Sequence, residues 1–268
     1  MDGRRWLRLP MLMDLTATQV DSYQEQGYLL LPRLFGRDAL RRFESRFLEL
    51  AGGSVAPPKD LVVMQDVMVA KGSIEVDDPV RGVNKVLSFE NDPELFAYAA
   101  NAELLEAIRT LIGPSVQTIS TNVFNKPPEV DGRHPFHQDL RYFALRPVEG
   151  IVGAWTAISR INRQNGCLAI LPGSHRLGLL PHETPDWDFV NSGFQGVPNL
   201  DSNNRVYMEM DPGDTLLIHP LLVHGSGRNR SETCRRAIST HYASKQCARP
   251  PGKRKRVPVT REIPDEAG

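Results

Sequence analysis

Cysteine is scarce in this chain of 268 residues: Cys167, Cys234 and Cys247 are all there is. The number is odd and no pair has zinc-ligand spacing, which excludes a disulfide framework and a zinc ribbon and points to a reducing compartment. Net charge is also missing, with Lys plus Arg equal to Asp plus Glu at 32 each. Nucleic acid and anionic membranes both call for a positive excess, so neither is expected as the main partner. No apolar run approaches the ~20 residues of a membrane span, and there is no internal repeat. The first 13 residues mix Arg4, Arg5 and Arg8 with Trp6, Leu7 and Leu9, without a continuous apolar core or a small-residue cleavage site. They do not read as a secretory signal, and a flexible arm over residues 1–13 is expected.

What is present is ordinary globular material, 40% hydrophobic and 24% charged, enough to build a real core. The first half reads mainly as helix. Thr16-Ala17-Thr18-Gln19 has the form of a capping box, and Gly27 stops the helix that follows. Tyr28-Leu29-Leu30-Leu31 before Pro32 reads as a short buried strand. From Asp38 the residues Leu40, Phe43, Phe47 and Leu50 recur at helical spacing, and a second helical pair lies between Pro93 and Gly113. Beyond Gly113 short apolar runs take over: 116–124, 150–158, 167–171, 206–210, 215–218 and 237–242. Clusters of Gly, Pro, Asn and Asp separate them. Helices followed by regularly spaced strands predict a mainly β fold with flanking helices, built on a double-stranded β-helix (jelly roll, cupin-like) core. Residues 177–205 are polar and rich in Gly and Pro, and fit a long loop over the barrel mouth.

One stretch carries chemistry. In Arg133-His134-Pro135-Phe136-His137-Gln138-Asp139 the side chains of His137 and Asp139 fall on the same side of an extended chain. Two imidazoles and one carboxylate are the facial set that holds non-haem Fe(II) with positions left open. The second imidazole is His219 or His224. His219 sits between Leu216-Leu217-Ile218 and Pro220, as a structural residue at a strand end would. His224 precedes Gly225-Ser226-Gly227, where small residues allow a cosubstrate close to the backbone, and is preferred. An H-x-D triplet alone is weak in a chain with seven histidines. Arg235 offers a rigid fork for a carboxylate, although Arg228, Arg230 and Arg236 nearby are as apt to face water. On a strand Arg235, Ala237, Ser239 and His241 would share one face, and Arg236, Ile238, Thr240 and Tyr242 the other; periodicity does not say which points inward. A metal site beside a carboxylate anchor is the arrangement of a 2-oxoglutarate-dependent oxygenase.

Several segments resemble the phytanoyl-CoA dioxygenase (phytanoyl-CoA 2-hydroxylase) family: Asn125-Lys126-Pro127-Pro128, the stretch 133–140, Ala154-Trp155-Thr156-Ala157, Asn165-Gly166-Cys167-Leu168, Leu171-Pro172-Gly173-Ser174-His175, Gly213-Asp214-Thr215, the stretch 219–227 and Ala237-Ile238-Ser239. The likeness runs from about Leu15 to Ser244. It implies a jelly-roll fold, Fe(II) and 2-oxoglutarate, with ascorbate as an accessory reductant. It carries His137, Asp139 and His224 over as iron ligands. Arg235 and Ser226 would hold the distal carboxylate of 2-oxoglutarate, with Lys85, Asn122, Gln138 and Trp155 as further cosubstrate contacts. Asn122 replaces a larger apolar residue, which weakens that assignment.

The resemblance further implies hydroxylation of carbon 2 of a branched, phytanoyl-like acyl-CoA by O₂, with release of succinate and CO₂. The alternatives are a family oxygenase acting on another small molecule, or a metal-binding scaffold that has lost turnover. A zinc hydrolase is disfavoured, because no general-base glutamate sits beside the motif. Residues 14–246 are expected to form the single oxygenase domain and residues 247–268 a disordered basic tail. A eukaryotic member would be peroxisomal although no targeting signal is visible, and otherwise cytoplasmic.

Overall fold

The computed structural model describes residues 14–128, 130–191, 193–251 and 260–264. The expected arm 1–13 and the basic run 253–256 lie outside these residues. Helix α1 (Ala17–Gln26) begins with the capping box read from sequence: Gln19 donates its backbone N–H to Thr16 Oγ1, and the Gln19 side chain accepts from the Thr16 N–H at 2.9 Å. Such a cap is worth about 1 kcal/mol. Gly27 closes the helix with φ +80°, a conformation that costs glycine little. Strand β1 (Tyr28–Leu31) follows, then α2 (Arg37–Ala51), whose buried residues Leu40, Phe43, Phe47 and Leu50 are the predicted helical stripe. Next come β2 (Val62–Gln65), the single turns α3 (Val67–Ala70) and α4 (Pro79–Gly82), and β3 (Val83–Leu87). The helical pair is α5 (Pro93–Ala99) and α6 (Ala102–Ile112), capped by Asp92 and Asn101.

The strands β4 (Val116–Lys126), β5 (His134–His137), β6 (Ile151–Ala157), β7 (Leu168–Ile170), β8 (Val206–Met208), β9 (Thr215–Ile218), β10 (His224–Ser226) and β11 (Arg235–Ser244) complete the chain. They form two antiparallel sheets, ordered β1-β9-β6-β11-β4-β3-β2 and β5-β10-β7-β8. This is the expected double-stranded β-helix. Strands β2 and β3 were not anticipated. They are only four and five residues long and lie at one end of the large sheet, so little apolar periodicity marks them.

The large sheet is covered on its two faces by different partners. On one, α2, α5 and α6 pack Phe43, Phe47, Leu95, Leu104 and Ile108 against Val123, Val152, Ile238 and Tyr242. Tyr98 joins them, its hydroxyl 2.9 Å from Thr156 Oγ1. Truncating one of these fully buried phenylalanines to alanine costs about 3–5 kcal/mol. On the other face Trp155, Ala157, Leu216, Ile218 and Ala237 meet Leu168, Ile170 and Met208 of the small sheet. Because a strand alternates its side chains, the need of Ile238 and Tyr242 for the helical core turns Arg235, Ser239 and His241 into the space between the sheets.

The tail expectation needs correction. Cys247 is buried, Ala248 bridges to Arg146, and Glu262 bridges to Gln117. Ile263 is 3% exposed within the main core, and the Arg261 guanidinium lies 3.9 Å from the Phe96 ring centroid. The described parts of 247–268 are therefore docked, since single apolar anchors such as Ile263 hold a stretch whose composition is otherwise that of a solvated segment.

Candidate metal centre and cosubstrate pocket

His137 ends β5 and His224 begins β10, and the two are direct partners across the antiparallel ladder. Their rings lie 4.3 Å apart between centroids. Gly225 explains how the strands meet there: a β-carbon on it would sit 2.9 Å from the His134 carbonyl oxygen and 3.0 Å from the Phe136 nitrogen. Its small size serves strand packing. Asp139 lies just past the strand, at the start of a 3₁₀ turn, but Gln138 keeps extended dihedrals. Alternation therefore carries through, and the Asp139 carboxylate comes to the same side as His137.

His137 Nε2 is 3.3 Å from Asp139 Oδ1, and His224 Nε2 is 3.7 Å from Oδ2. One ligand atom from each of the three residues fits within 4.8 Å of the others. Both imidazoles use Nδ1 on backbone carbonyls, His137 on Pro135 at 2.8 Å and His224 on Leu222 at 3.0 Å. A carbonyl only accepts, so Nδ1 carries the hydrogen and Nε2 presents its lone pair inward, the tautomer a metal requires. Burial pushes the His224 pKa down to about 4, which keeps it a neutral donor. Burial alone would raise the Asp139 carboxyl. The imidazoles of His224, His241 and His137 around it, with the hydrogen bond from His241 Nε2, outweigh it and hold the group well below the usual carboxylate range.

Arg235 borders the same pocket and is 3% exposed. Its Nη2 donates to the Gly166 carbonyl at 2.9 Å, its guanidinium stands 5.4 Å over Trp155, and its Nε has no partner among the described residues. Burial lowers its pKa to about 10, still above neutrality. Lys126, its direct partner across β4 and β11, is also buried; burial and then the charge of Arg235 lower its pKa strongly. Lys126 Nζ donates to the carbonyls of Gly132 and Gly227, both at 2.6 Å, and to Ser226 Oγ at 2.8 Å. Ser226 Oγ therefore accepts from Lys126 and keeps its own hydrogen free to donate. A buried guanidinium with no carboxylate partner among the described residues, an Nε unpaired among them, and a hydroxyl hydrogen free to donate make a seat for a carboxylate.

Trp155 and Ser226 line this pocket. Lys85 lies beside it, its Nζ 5.7 Å from the Phe124 ring centroid and 5.0 Å from that of Phe194, its pKa lowered by burial to about 8. Asn122 faces the same side as Phe124 and opposes Ser239, but its amide is turned to Ser120 Oγ at 3.2 Å. Gln138 departs from its expected role. Its Nε2 donates to the Gly178 and Leu221 carbonyls at 2.8 and 2.7 Å, and its Oε1 accepts from the Leu180 N–H at 2.8 Å. Lying between two inward ligands, it must point away from them; it clamps the 178–180 loop instead of meeting cosubstrate.

Two residues were missed. His241 Nε2 lies 2.9 Å from Asp139 Oδ2; its parity with Arg235 was the available signal. Lys126 belongs to a stretch that carried the family resemblance, but nothing in the sequence marked it as the support of Ser226.

An open-faced set of two imidazoles and one carboxylate, inside a jelly roll and next to an anion seat, defines a class: the non-haem iron, 2-oxoglutarate-dependent oxygenases. EvdO2 from Micromonospora carbonacea var. aurantiaca superposes with a TM-score of 0.70 over 92% of this chain and 97% of its own, at 21% identity. The epimerase SnoN, solved with Fe3+, alpha ketoglutarate and nogalamycin RO, gives a TM-score of 0.63 over 94% and 95%, at 19% identity. Both likenesses speak for the fold. The family follows from sequence: the Phytanoyl-CoA dioxygenase (PhyH) profile matches residues 23–237. The peroxisomal phytanoyl-CoA dioxygenase of Mus musculus is 42% identical over 238 residues, which is 87% of this chain and 70% of the relative. The chain belongs to the phytanoyl-CoA dioxygenase family and is a 2-oxoglutarate-dependent dioxygenase.

Proposed function

We propose that this protein hydroxylates carbon 2 of a branched, phytanoyl-like acyl-CoA, using Fe(II) and 2-oxoglutarate and releasing succinate and CO₂. The observation that carries the reading is the pairing of the His137–Asp139–His224 donor set, gathered within 4.8 Å, with the buried guanidinium of Arg235, which has no carboxylate partner among the described residues. When bound, the metal and its cosubstrate supply the oxidising chemistry, with O₂ as the source of the new hydroxyl oxygen and ascorbate as an accessory reductant.

The protein's part is orientation and exclusion of water. His137, Asp139 and His224 hold the metal from one side and leave the other open. Arg235 and Ser226 would grip the distal carboxylate of 2-oxoglutarate and so orient it in the pocket. Trp155, with Phe124, Phe194 and Ile218, gives the pocket apolar walls, and its volume of about 80 Å³ leaves little room for bulk water. Lys85 adds a second cation near the carboxylates. No helix among the described residues is long and apolar enough to cross a membrane. The peroxisome is the proposed location in a cell that has one, as the name of the mouse relative indicates for that protein, and otherwise the cytoplasm.

The test is an anaerobic titration with Fe(II) and 2-oxoglutarate, followed by the visible metal-to-ligand charge-transfer band, then exposure to O₂ with and without phytanoyl-CoA. The expected result is a band followed by succinate formation that phytanoyl-CoA stimulates, with a 2-hydroxyacyl product. A band without stimulation would point to another small-molecule substrate, and bound metal without succinate to a silent scaffold.

A further inference from the structure

Carbon 2 of an acyl-CoA is bonded to the thioester carbonyl. An enzyme that oxidises it must bring the sulfur end of the coenzyme to the metal, so the rest of the coenzyme must leave through a space opening on the metal pocket. The pocket itself, at about 80 Å³, cannot hold it. A second cavity of about 820 Å³ shares His134 and Ser226 as walls with the metal pocket. That volume lies in the range of about 300–1,000 Å³ typical of sites for substantial organic ligands.

The wall of this cavity has a charge the whole molecule does not. The chain is neutral overall, yet Arg133, Arg163, Arg205, Arg228 and Arg230 line this one space, against the carboxylates of Glu183 and Asp186. Arg133 and Arg228 are already engaged: both direct Nε and Nη2 at the two oxygens of Asp131, at 2.5–2.6 and 2.9–3.0 Å. Asp131 thereby locks the rim in place. Arg163, Arg205 and Arg230 have no carboxylate partner among the described residues. The Arg163 guanidinium carbon stands over the Tyr207 ring, 4.3 Å from its centroid, and Arg205 Nε donates to the Tyr207 hydroxyl at 2.8 Å. Planar forks held in position by an aromatic ring suit phosphate oxygens better than mobile lysines would. Near the shared wall the lining turns apolar and small, with Gly166, Cys167 and Ala169, as a slender uncharged arm requires.

We infer that this cavity is the coenzyme A subsite: Arg163, Arg205 and Arg230 bind the diphosphate and 3′-phosphate of a CoA thioester, and the pantetheine arm runs past Ala169 and Ser226 to the metal. The inference rests on the acyl-CoA reading above and adds which end of the substrate this chain recognises by charge.

Binding is measured by calorimetry on the full chain with CoA itself, 3′-dephospho-CoA and pantetheine, none of which needs turnover. CoA is expected to bind at least tenfold more tightly than pantetheine, with dephospho-CoA between them, and to weaken as salt rises. The Arg163→Gln/Arg230→Gln double variant is expected to lose at least tenfold in CoA affinity with the same weak affinity for pantetheine, and Arg163→Lys/Arg230→Lys to recover part of it. A thermal midpoint equal to wild type shows that the variants fold. CoA binding no tighter than pantetheine, or an unchanged affinity in a folded double variant, would overturn the subsite even if phytanoyl-CoA is hydroxylated. Tight, arginine-dependent CoA binding with no acyl-CoA-stimulated succinate would leave the subsite standing and sink the carbon-2 hydroxylase reading instead.

Discussion

His241 reaches across from β11 to hold Asp139, its Nε2 2.9 Å from Oδ2. A carboxylate can only accept, so Nε2 carries the proton and the second oxygen of Asp139 is tied while Oδ1 faces His137. Partners that orient metal ligands in this way are commonly worth 10–100-fold in metal affinity or activity. His241→Phe is therefore expected to weaken Fe(II) binding by roughly that factor, with His241→Gln recovering part of it. An equilibrium metal titration reads the effect, and an unchanged affinity in the phenylalanine variant would reject the orienting role.

Gly153, opposite His241 in the β6–β11 ladder, makes room for that ring. A β-carbon there would lie 2.9 Å from His241 Nε2 and 3.0 Å from Cδ2. Gly153→Val should displace the imidazole at a cost of about 1–3 kcal/mol, lowering the thermal midpoint by several degrees and metal affinity along with it. Wild-type metal affinity in this variant would show that His241 has slack the structure does not indicate.

Removing a ligand should separate chemistry from folding. His137→Ala and Asp139→Ala are expected to abolish succinate production while the two sheets persist, because the cores around Phe47 and Trp155 do not include these residues. Circular dichroism follows the fold and succinate analysis the chemistry; normal turnover by either variant ends the metal assignment.

Arg235→Ala should raise the 2-oxoglutarate concentration needed for half-maximal turnover by more than tenfold, because a buried charge-assisted carboxylate contact is lost. An unaltered 2-oxoglutarate titration in a folded variant would mean that another group, with Lys126 or Lys85 the nearest candidates, anchors the cosubstrate.

His219, which is not a metal ligand, gives a pH prediction. Burial and then the neighbouring His175, 4.9 Å away between ring centroids, lower its pKa to about 4, against a smaller opposing pull from Glu149. The folded state then binds fewer protons than the unfolded chain between an ordinary histidine pKa near 6.5 and about 4. Stability should fall as pH drops through that window and level off below it. His219→Asn, which keeps an acceptor for the Leu221 N–H now bonded to Nδ1 at 3.1 Å, should flatten the decline in thermal midpoint. Parallel slopes in the two proteins would assign the acid sensitivity elsewhere.

Local pattern made a large part of this molecule legible. The capping box at Thr16, the stripe from Leu40 to Leu50 and the run 116–124 each announce an element, because helix and strand periods depend on neighbours in the chain. His137 and Asp139 could be placed on one side for the same reason, since two residues of extended chain suffice. The edge strand β2 and its neighbour β3, the docking of Ile263 and the clamp made by Gln138 depend on distant partners and left no periodic trace.

By itself the sequence determined the residue types of the site, the spacing of His137 and Asp139, and the alternation that groups Arg235 with Ser239 and His241. Only the tertiary structure decided which histidine completes the set, because the β5–β10 ladder pairs His224 with His137 and leaves His219 beside Tyr23 and His175. It also decided which face of β11 points inward. Ile238 and Tyr242 had to be buried under the helices, and burying them turned Arg235 and His241 toward the metal pocket, where a buried guanidinium and an imidazole on a carboxylate acquire a function.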